Sequence, residues 1–303
     1  MPQITPMRHN TCAIIVTFHP DEGFPERLKL ILAQFPLVII VDNASRDSAI
    51  EMLRKAAQSP DVLLIENPSN LGIAAALNQG IELALRRGFQ WVVTLDQDSD
   101  LHTDFLSTLF DVVLAYGSSD VMAGSNYWDV HRGRTFVHCA NTGASFQERK
   151  TLITSGTLAP LSLFNKIGLF REDYFIDSVD HEFSLRARAN GFRMLISCRP
   201  LMNHSIGTGV EHASRLRQFL SFNHSPRRKY FIARNTVATA MTYFFREPMW
   251  SMRQAWRLVS DFASILLFES EKRKKVTAFL VGIAHGLIGK MGPIEKAWPN
   301  GSR

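Results

Sequence analysis

Short apolar runs, each followed by a polar break and then by apolar positions three and four apart, fill the N-terminal third of the chain. Thr11 to Phe18 is the first run. A continuous apolar segment of that kind reads as a strand buried on both faces. Glu26 to Gln34 places Leu28, Ile31 and Leu32 on one helical face, Leu37 to Val41 is a second strand, and Ser48 to Gln58 a second helix. Val62 to Ile65, the amphipathic Ile73 to Arg87 and the strand Trp91 to Leu95 continue the series. Strand, loop and helix in alternation predict an α/β fold with a mostly parallel, Rossmann-like central sheet flanked by helices.

The pattern then loosens. A helix to about Tyr116, short strands at Val121–Gly124 and Thr135–Ala140, a short helix Leu163–Gly168 and a strand Phe192–Ser197 are expected. Between the last two, Tyr174 to Glu182 leads into a helix, Phe183 to Asn190, closed by Gly191. From Arg215 onward the pattern is helical. Arg227 to Asn235 opens it, and Val276 to Ile288 ends it. Between them Met249 to Phe268 carries Met249, Met252, Trp256, Val259, Phe262 and Leu266 near helical spacing, flanked by Arg253 and Arg257. This divides the chain into an α/β domain, residues 1–213, and a C-terminal helical extension, residues 214–303.

Charge sharpens the division. Residues 214–303 hold 16 Lys/Arg against 5 Asp/Glu, whereas residues 1–213 hold 18 against 23. A basic tail on an acidic front suggests two jobs. The readings for the tail are peripheral contact with an anionic membrane surface, a packed helical subdomain, or a homo-oligomer interface. No nucleic-acid motif accompanies the basic residues, so nucleic acid is not an expected partner. No segment reaches the roughly 18 apolar residues of a membrane span. Met1 to Asn10 lacks an apolar signal core, and Cys12, Cys139 and Cys198 match no metal spacing. An odd, sparse cysteine count fits a reducing cytosol, so a cytoplasmic protein with free thiols is expected.

The polar breaks carry the candidate chemistry. His19, Asp42, Asn43, Asn70, Asp96 and Asp98 all fall where a strand gives way to a loop, which in an open α/β sheet is the ligand edge. Asp96 and Asp98 are two apart on an extended segment and project to one side. Two hard oxygen ligands that leave room for water and phosphate oxygens suit Mg²⁺ or Mn²⁺. The competing reading is an acidic loop with Ser99 or Asp100 capping the next helix. Asp42 is also explicable as an Asx-turn residue, and Asn70 with Gly72 as a helix-entry cap.

Several segments together resemble the inverting glycosyltransferases of family 2, which have the GT-A fold, and among them the bacterial rhamnosyltransferase branch. They are Val16-Thr17-Phe18-His19-Pro20, Val41-Asp42-Asn43-Ala44-Ser45, Asn70-Leu71-Gly72 with Asn78-Gln79-Gly80, and Thr94-Leu95-Asp96-Gln97-Asp98-Ser99. Ser155-Gly156, Phe175-Ile176-Asp177-Ser178-Val179-Asp180-His181-Glu182 and Asn203-His204-Ser205-Ile206-Gly207 follow in order. The resemblance covers about residues 11–210. It implies that Thr17, Asp42, Asn70, Gly72 and Asp96 bind a nucleotide sugar and that Asp98 and His204 hold Mg²⁺ or Mn²⁺; in the basic tail beyond it, Arg228, Lys229 and Arg234 are read as reaching a diphosphate, of the donor or of a lipid-linked acceptor. It also implies a deoxysugar donor, dTDP-L-rhamnose, and a saccharide acceptor, lipid-linked, in cell-surface polysaccharide synthesis. The alternatives are a UDP-hexose donor or a non-catalytic nucleotide-binding subunit. Inversion by single displacement needs one base, and Asp180, at a helix entry, is the candidate, because a helix N-terminus stabilises the ionised form. Glu182 is its rival, and a plain N-cap role the bland alternative.

Overall fold

The computed structural model describes residues 5–129, 133–139, 143–204, 210–213, 218–221 and 223–297, with the backbone alone at 204, 210–213, 218–221, 296 and 297. The elements alternate as the pattern requires: β1 (Thr11–Thr17), α1 (Phe24–Gln34), β2 (Val38–Asp42), α2 (Asp47–Ala56), β3 (Val62–Glu66), α3 (Ile73–Arg86) and β4 (Trp91–Asp96). β5 (Asp100–Leu101), α4 (Phe105–Tyr116), β6 (Val121–Asp129), β7 (Arg134–Thr135), β8 (Phe146–Arg149), β9 (Thr157–Pro160) and α5 (Leu161–Ile167) follow. α6 (Val179–Ala189), β10 (Arg193–His204), β11 (Val210–Ala213) and β12 (Gln218–Ser221) come next. The last elements are α7 (Pro226–Tyr243), α8 (Pro248–Phe268), α9 (Lys272–Leu287) and α10 (Ile294–Ala297).

Alternation along β1 decides how the main sheet is covered. Ala13 and Ile15 join Val38, Ile40, Trp91, Val93 and Leu95 in one apolar cluster with Phe24, Leu28 and Ile31 of α1 and Phe105, Leu109 and Val112 of α4. Ile14 points the other way, against α3, where a Cβ at Gly80 would come within 2.6 Å of its Cγ2. Period-two strands with both faces buried therefore require helices on both sides. The sheet runs β3-β2-β1-β4-β9-β6-β10-β5, with β7 on β6 and β8 on β10. Its first four strands are parallel. β9 enters antiparallel to both β4 and β6, while β6 and β10 are parallel to each other.

Three expectations change. Of the strand expected over 135–140, whose last residue lies outside the described ones, 136–139 are not strand, and the two-residue β7 ends at Thr135, because Asn126 takes up the backbone of Val137 through its side chain, at 2.8 and 3.0 Å. The strand expected over 192–197 extends to His204, with register irregularities around Pro200. Finally, Cys139 and Cys198 form a disulfide, where free thiols were expected. They are 59 residues apart in sequence, but antiparallel pairing of β8 with β10 and the bond from Cys198 N to Ser145 O bring the two segments together. Cys12 is a buried free thiol on β1, and burial pushes it up to about 12.

The chain divides into two compact units: Met1–Phe170 with Phe183–Ser205, and Arg171–Glu182 with Ile206–Arg303. In the second, α7 and α9 touch backbone to backbone. A Cβ on Gly282 would lie 2.5 Å from Tyr230 O, and one on Gly286 would lie 2.6 Å from Arg234 O. Among the described residues no helix is long and apolar enough to cross a membrane.

Candidate active site

In the α/β unit, register puts Thr17 opposite Asp42 and Val16 opposite Asp96, so three predicted residues meet along one carboxyl edge. Thr17 and Asp42 are buried and bonded to each other. Thr17 Oγ1 donates to Asp42 Oδ1 at 2.8 Å, and Ser45 donates to the same carboxylate through its N–H at 2.7 Å and its hydroxyl at 2.5 Å. His19 N in turn donates to Ser45 Oγ at 2.7 Å. Asp42 thus fixes both the β1 and the β2 exit loops.

The next loop is held the same way. Gly72 is the N-cap of α3 at φ 88°, a conformation that favours glycine, and its N–H donates to Asn70 Oδ1 at 2.9 Å. Asn43 donates to Gly72 O and accepts from Leu71 N and from Asn67 Nδ2. Asn67 and Gln79 exchange two amide hydrogen bonds, at 2.9 and 3.0 Å. Asn67 did not figure in the sequence argument, and Gln79 entered it only within the Asn78-Gln79-Gly80 segment. An Asn at each strand exit is the only signal that could have flagged Asn67.

The β4 exit is tied from both sides. Gln97 accepts from Phe18 N at 2.8 Å and donates to Phe18 O at 3.3 Å, which couples it to the β1 exit. On the other side, Asp96 N donates to Ser99 Oγ and Ser155 Oγ, whose hydroxyls lie 2.7 Å apart. Gly156, at φ +75°, lets this loop press against the sheet, since a Cβ there would meet Ser125 Oγ at 2.3 Å. Asp96 ends half-buried and Asp98 exposed. The strand that carries His204 also arrives here. Asn203 pairs with Asp100 in register and donates to its carboxylate at 3.1 Å. The His204 side chain lies outside the described residues. Among those described, no group of three metal-binding side chains is assembled. Asp96 and Asp98 are a two-carboxylate, hard-oxygen donor set, which fits a hexacoordinate divalent ion that draws further ligands from phosphate and water.

The second unit contains Asp180. α6 begins at Val179, so Asp180 sits in its first turn, and Asp180 Oδ1 accepts from His181 N at 2.7 Å. The rival Glu182 is buried and accepts from Tyr243 Oη at 3.2 Å. Asp180 instead lines a cavity of about 510 Å³ together with Asp177, His181, Gln254, Arg257 and Asp261. The chain before α6 is contorted: Phe175, Asp177 and Ser178 have φ of 65°, 62° and 59°. Such non-glycine conformations persist only where surroundings over-determine them. Asn235 supplies much of that constraint. Its Nδ2 donates to Tyr174 O, Ile176 O and Asp177 O at 2.9, 2.7 and 3.0 Å.

Arg234, expected on a diphosphate, is fully buried. Its guanidinium donates to Asn235 Oδ1, Gly292 O, Asp173 O and Tyr174 O. Tyr174 Oη and Thr239 Oγ1 lie 2.9 Å apart, and Arg228 pairs with Asp177 at 3.3 Å. One face of α7 is therefore committed to holding the segment that carries Asp180.

Acidic and amide side chains gathered at the carboxyl edge of a parallel half-sheet define a nucleotide-binding α/β enzyme. Residues 12–170 match the family described as Glycosyl transferase family 2, and the chain belongs to that family of glycosyltransferases. It is 30% identical over 241 residues to a dTDP-rhamnosyl transferase, RfbF, of Shigella flexneri, covering 76% of this chain and 79% of that one. It is 31% identical over 121 residues to a polyprenol monophosphomannose synthase of Mycolicibacterium smegmatis, covering 39% of this chain and 45% of that one.

Solved structures share the fold at low identity. GalNAc-T7 with UDP, GalNAc and Mn²⁺ superposes with a TM-score of 0.61 at 13% identity, over 95% of this chain and 58% of that one. A mannosyltransferase of Pyrobaculum calidifontis with GDP-Man and Mn²⁺ gives 0.56 at 16%, over 96% and 91%. These likenesses establish the GT-A fold.

Proposed function

We propose that the protein transfers L-rhamnose from dTDP-L-rhamnose, with inversion, to a saccharide acceptor in the synthesis of a cell-surface polysaccharide. The observation that carries this reading is the 30% identity to a dTDP-rhamnosyl transferase along 76% of the chain. The nucleotide binds at the edge formed by Thr17, Asp42, Asn70 and Gly72, whose side chains and backbone are already fixed by mutual hydrogen bonds. Asp96 and Asp98, with His204, would hold Mg²⁺ or Mn²⁺ at the donor's diphosphate. The ion, when bound, neutralises charge on the departing diphosphate.

Asp180 is the base. Its carboxylate takes the proton of the acceptor hydroxyl as that oxygen bonds to C1 of the sugar, the C1–O bond to the diphosphate breaks, and dTDP leaves. The accessible position of Asp180 in a cavity supports it over Glu182, which is buried against Tyr243. Arg234 contributes by holding the Asp180 segment rather than by touching donor.

The acceptor is lipid-linked, and the enzyme works peripherally on the cytoplasmic membrane face. This is supported by the outward face of α8, where Met249, Met252, Trp256 and Val259 are all more than half exposed beside Arg253 and Arg257.

Titration with dTDP-L-rhamnose, UDP-glucose and UDP-galactose, with and without chelator, tests the donor. Tight, metal-dependent binding of the dTDP sugar alone is expected, and selective binding of a UDP-hexose would overturn the assignment. Asp180→Asn is expected to lower transfer by about 10²–10⁴-fold with donor affinity unchanged. An active Asp180→Asn beside a dead Glu182→Gln would move the base to Glu182.

A further inference from the structure

One oxygen of the Asp180 carboxylate is approached twice by the same neighbour. Asp180 Oδ1 accepts the backbone N–H of His181 at 2.7 Å, and Nδ1 of the His181 ring lies 4.0 Å from that oxygen. Nδ1 is buried and makes no hydrogen bond among the described residues. Buried polar atoms are rarely left so in a folded protein, and this one stops about 1 Å short of a hydrogen bond to a carboxylate. Hydrogen bonds around a catalytic group are often long in the free protein and close when it works.

The surroundings direct Nδ1 to Asp180. The other two carboxylates of the cavity wall already have cations: Asp177 pairs with Arg228 at 3.3 Å, and Asp261 pairs with Lys229. The ionic partner of Asp180 is His181. On its other side the imidazole meets Trp250 of α8 edge to face, with ring centroids 5.8 Å apart and planes at 74°. Trp250 is itself buried, so the imidazole is confined between an aromatic ring and the carboxylate. A small turn of the ring within that space brings Nδ1 onto Oδ1.

We propose that His181 is a positioning residue for the base: its Nδ1–H donates to Asp180 Oδ1, beside the backbone N–H of the same residue, and leaves Oδ2 to take the proton of the attacking hydroxyl. The proposal rests on the reading of Asp180 as the base. A carboxylate free to turn about its Cβ–Cγ bond presents either oxygen, and two donors on Oδ1 stop that rotation. The transferred proton goes to Oδ2, while His181 keeps its own proton and stays neutral throughout. A residue in this role contributes to the rate through orientation and adds nothing to donor binding.

Isotope-edited NMR of the full-length, histidine-labelled protein reads the tautomer directly, at slightly alkaline pH where an ordinary imidazole is neutral. The resonances lost in His181→Asn identify His181. They are expected to place its proton on Nδ1, and to place it on Nε2 in Asp180→Ala. A proton on Nε2 in the wild type, or a tautomer indifferent to Asp180→Ala, overturns the proposal. Rates are read from hydrolysis of dTDP-L-rhamnose, with water standing in for the acceptor. His181→Phe keeps a ring against Trp250 and removes the donor. It should lower kcat by at least about tenfold, the scale of one hydrogen bond to a charged group, with the affinity for dTDP unchanged. His181→Asn, whose amide N–H falls near the place of Nδ1, should restore most of that rate. In an Asp180→Asn background His181→Phe should change nothing further, because it acts only through the carboxylate. Wild-type kcat in His181→Phe, or a His181→Asn no faster than His181→Phe, overturns the proposal and leaves the base reading standing if Asp180→Asn is dead. An active Asp180→Asn overturns the base reading itself. The tautomer measurement does not use His181→Phe and decides the matter if that variant does not fold.

Discussion

On β1, β2 and β4 of the α/β unit, the fully buried apolar side chains include Cys12, Ile14, Ile15, Ile39, Ile40, Val41, Trp91, Val92 and Val93, and the fully buried polar ones, Thr11 and Thr17, stand at the ends of β1. In the helical unit, side chains at least 97% buried include Lys229, Arg234, Asn235, Glu269 and Lys275, while Phe245 is 94% and Ile288 74% exposed. The α/β unit follows the ordinary rule of apolar inside and polar at the strand ends. The helical unit places charge inside and leaves large apolar side chains outside. Lys229 and Lys275 both reach Glu269, at 2.9 and 3.0 Å, and Lys229 also reaches Asp261. Burial works against the charge on Glu269, yet the two ammonium groups hold its carboxyl below the ordinary range. A buried ionic cluster of this kind adds little net stability over an apolar core of similar volume, but it is costly to disrupt singly. A helical core that depends on such pairs is therefore one built for positioning polar groups rather than for maximal stability.

The largest test of this contrast is Lys229→Met. It strands Asp261 and leaves Glu269 with Lys275 alone in the helical unit, and a loss of about 3–5 kcal/mol in urea unfolding is expected. Arg54→Ala in the α/β unit, which removes exposed pairs to Glu51 and Glu66, should leave the unfolding midpoint where it is. Equal effects from the two substitutions would erase the distinction between the units.

Asn235→Ala comes next. It removes a donor from three carbonyls of the contorted 174–177 segment, leaving Tyr174 O with Arg234 alone, for an expected loss of about 1–3 kcal/mol. Because those carbonyls shape the approach to Asp180, kcat should fall while the affinity for dTDP, measured by titration, stays the same. A parallel loss of dTDP affinity would mean that the substitution unfolds more than the segment.

The smallest effect is on the outer face of α8. Replacing Arg253 or Arg257 by Gln should weaken co-sedimentation with anionic vesicles by roughly 1 kcal/mol each, and raised salt should do the same to the wild type. Equal sedimentation with neutral and anionic vesicles would assign that face to another partner.

Much of the α/β unit was legible because its residues obey two periods. Strands buried on both faces announce themselves as apolar runs, and the residues that end them, Asp42, Asn70 and Asp96, fall on the edge where ligands bind. What the pattern missed is of three kinds. β8 and β9 are four-residue strands, too short for a period to show, and β9 ends in Pro160. The Cys139–Cys198 bond depends on β8–β10 register, which spacing in sequence does not encode. On α8 the stripe of Met249, Met252, Trp256 and Val259 was correctly spaced but gave no sign of facing outward. The inward face bears Trp250, Ser251, Gln254, Leu258 and Ser264. A hydrophobic stripe fixes the phase of a helix, but which side is buried depends on what the helix packs against, and here that surroundings include polar side chains. Arg234 illustrates the same limit, since a guanidinium that binds phosphate and one that binds four acceptors of its own chain look identical in sequence.

The segment Arg171–Glu182 belongs to the same compact unit as residues 206–303, although β10 and the end of α6 intervene along the chain. This matters for anyone recombining the protein with a relative to alter what it glycosylates. A single crossover near residue 213, where the charge pattern breaks, would exchange α7 but leave the 173–178 carbonyls of the host, so the side chains at 234 and 235 would meet a foreign loop. The exchangeable module has three crossovers, before 171, after 182 and before 206, and it must travel as two stretches of sequence together.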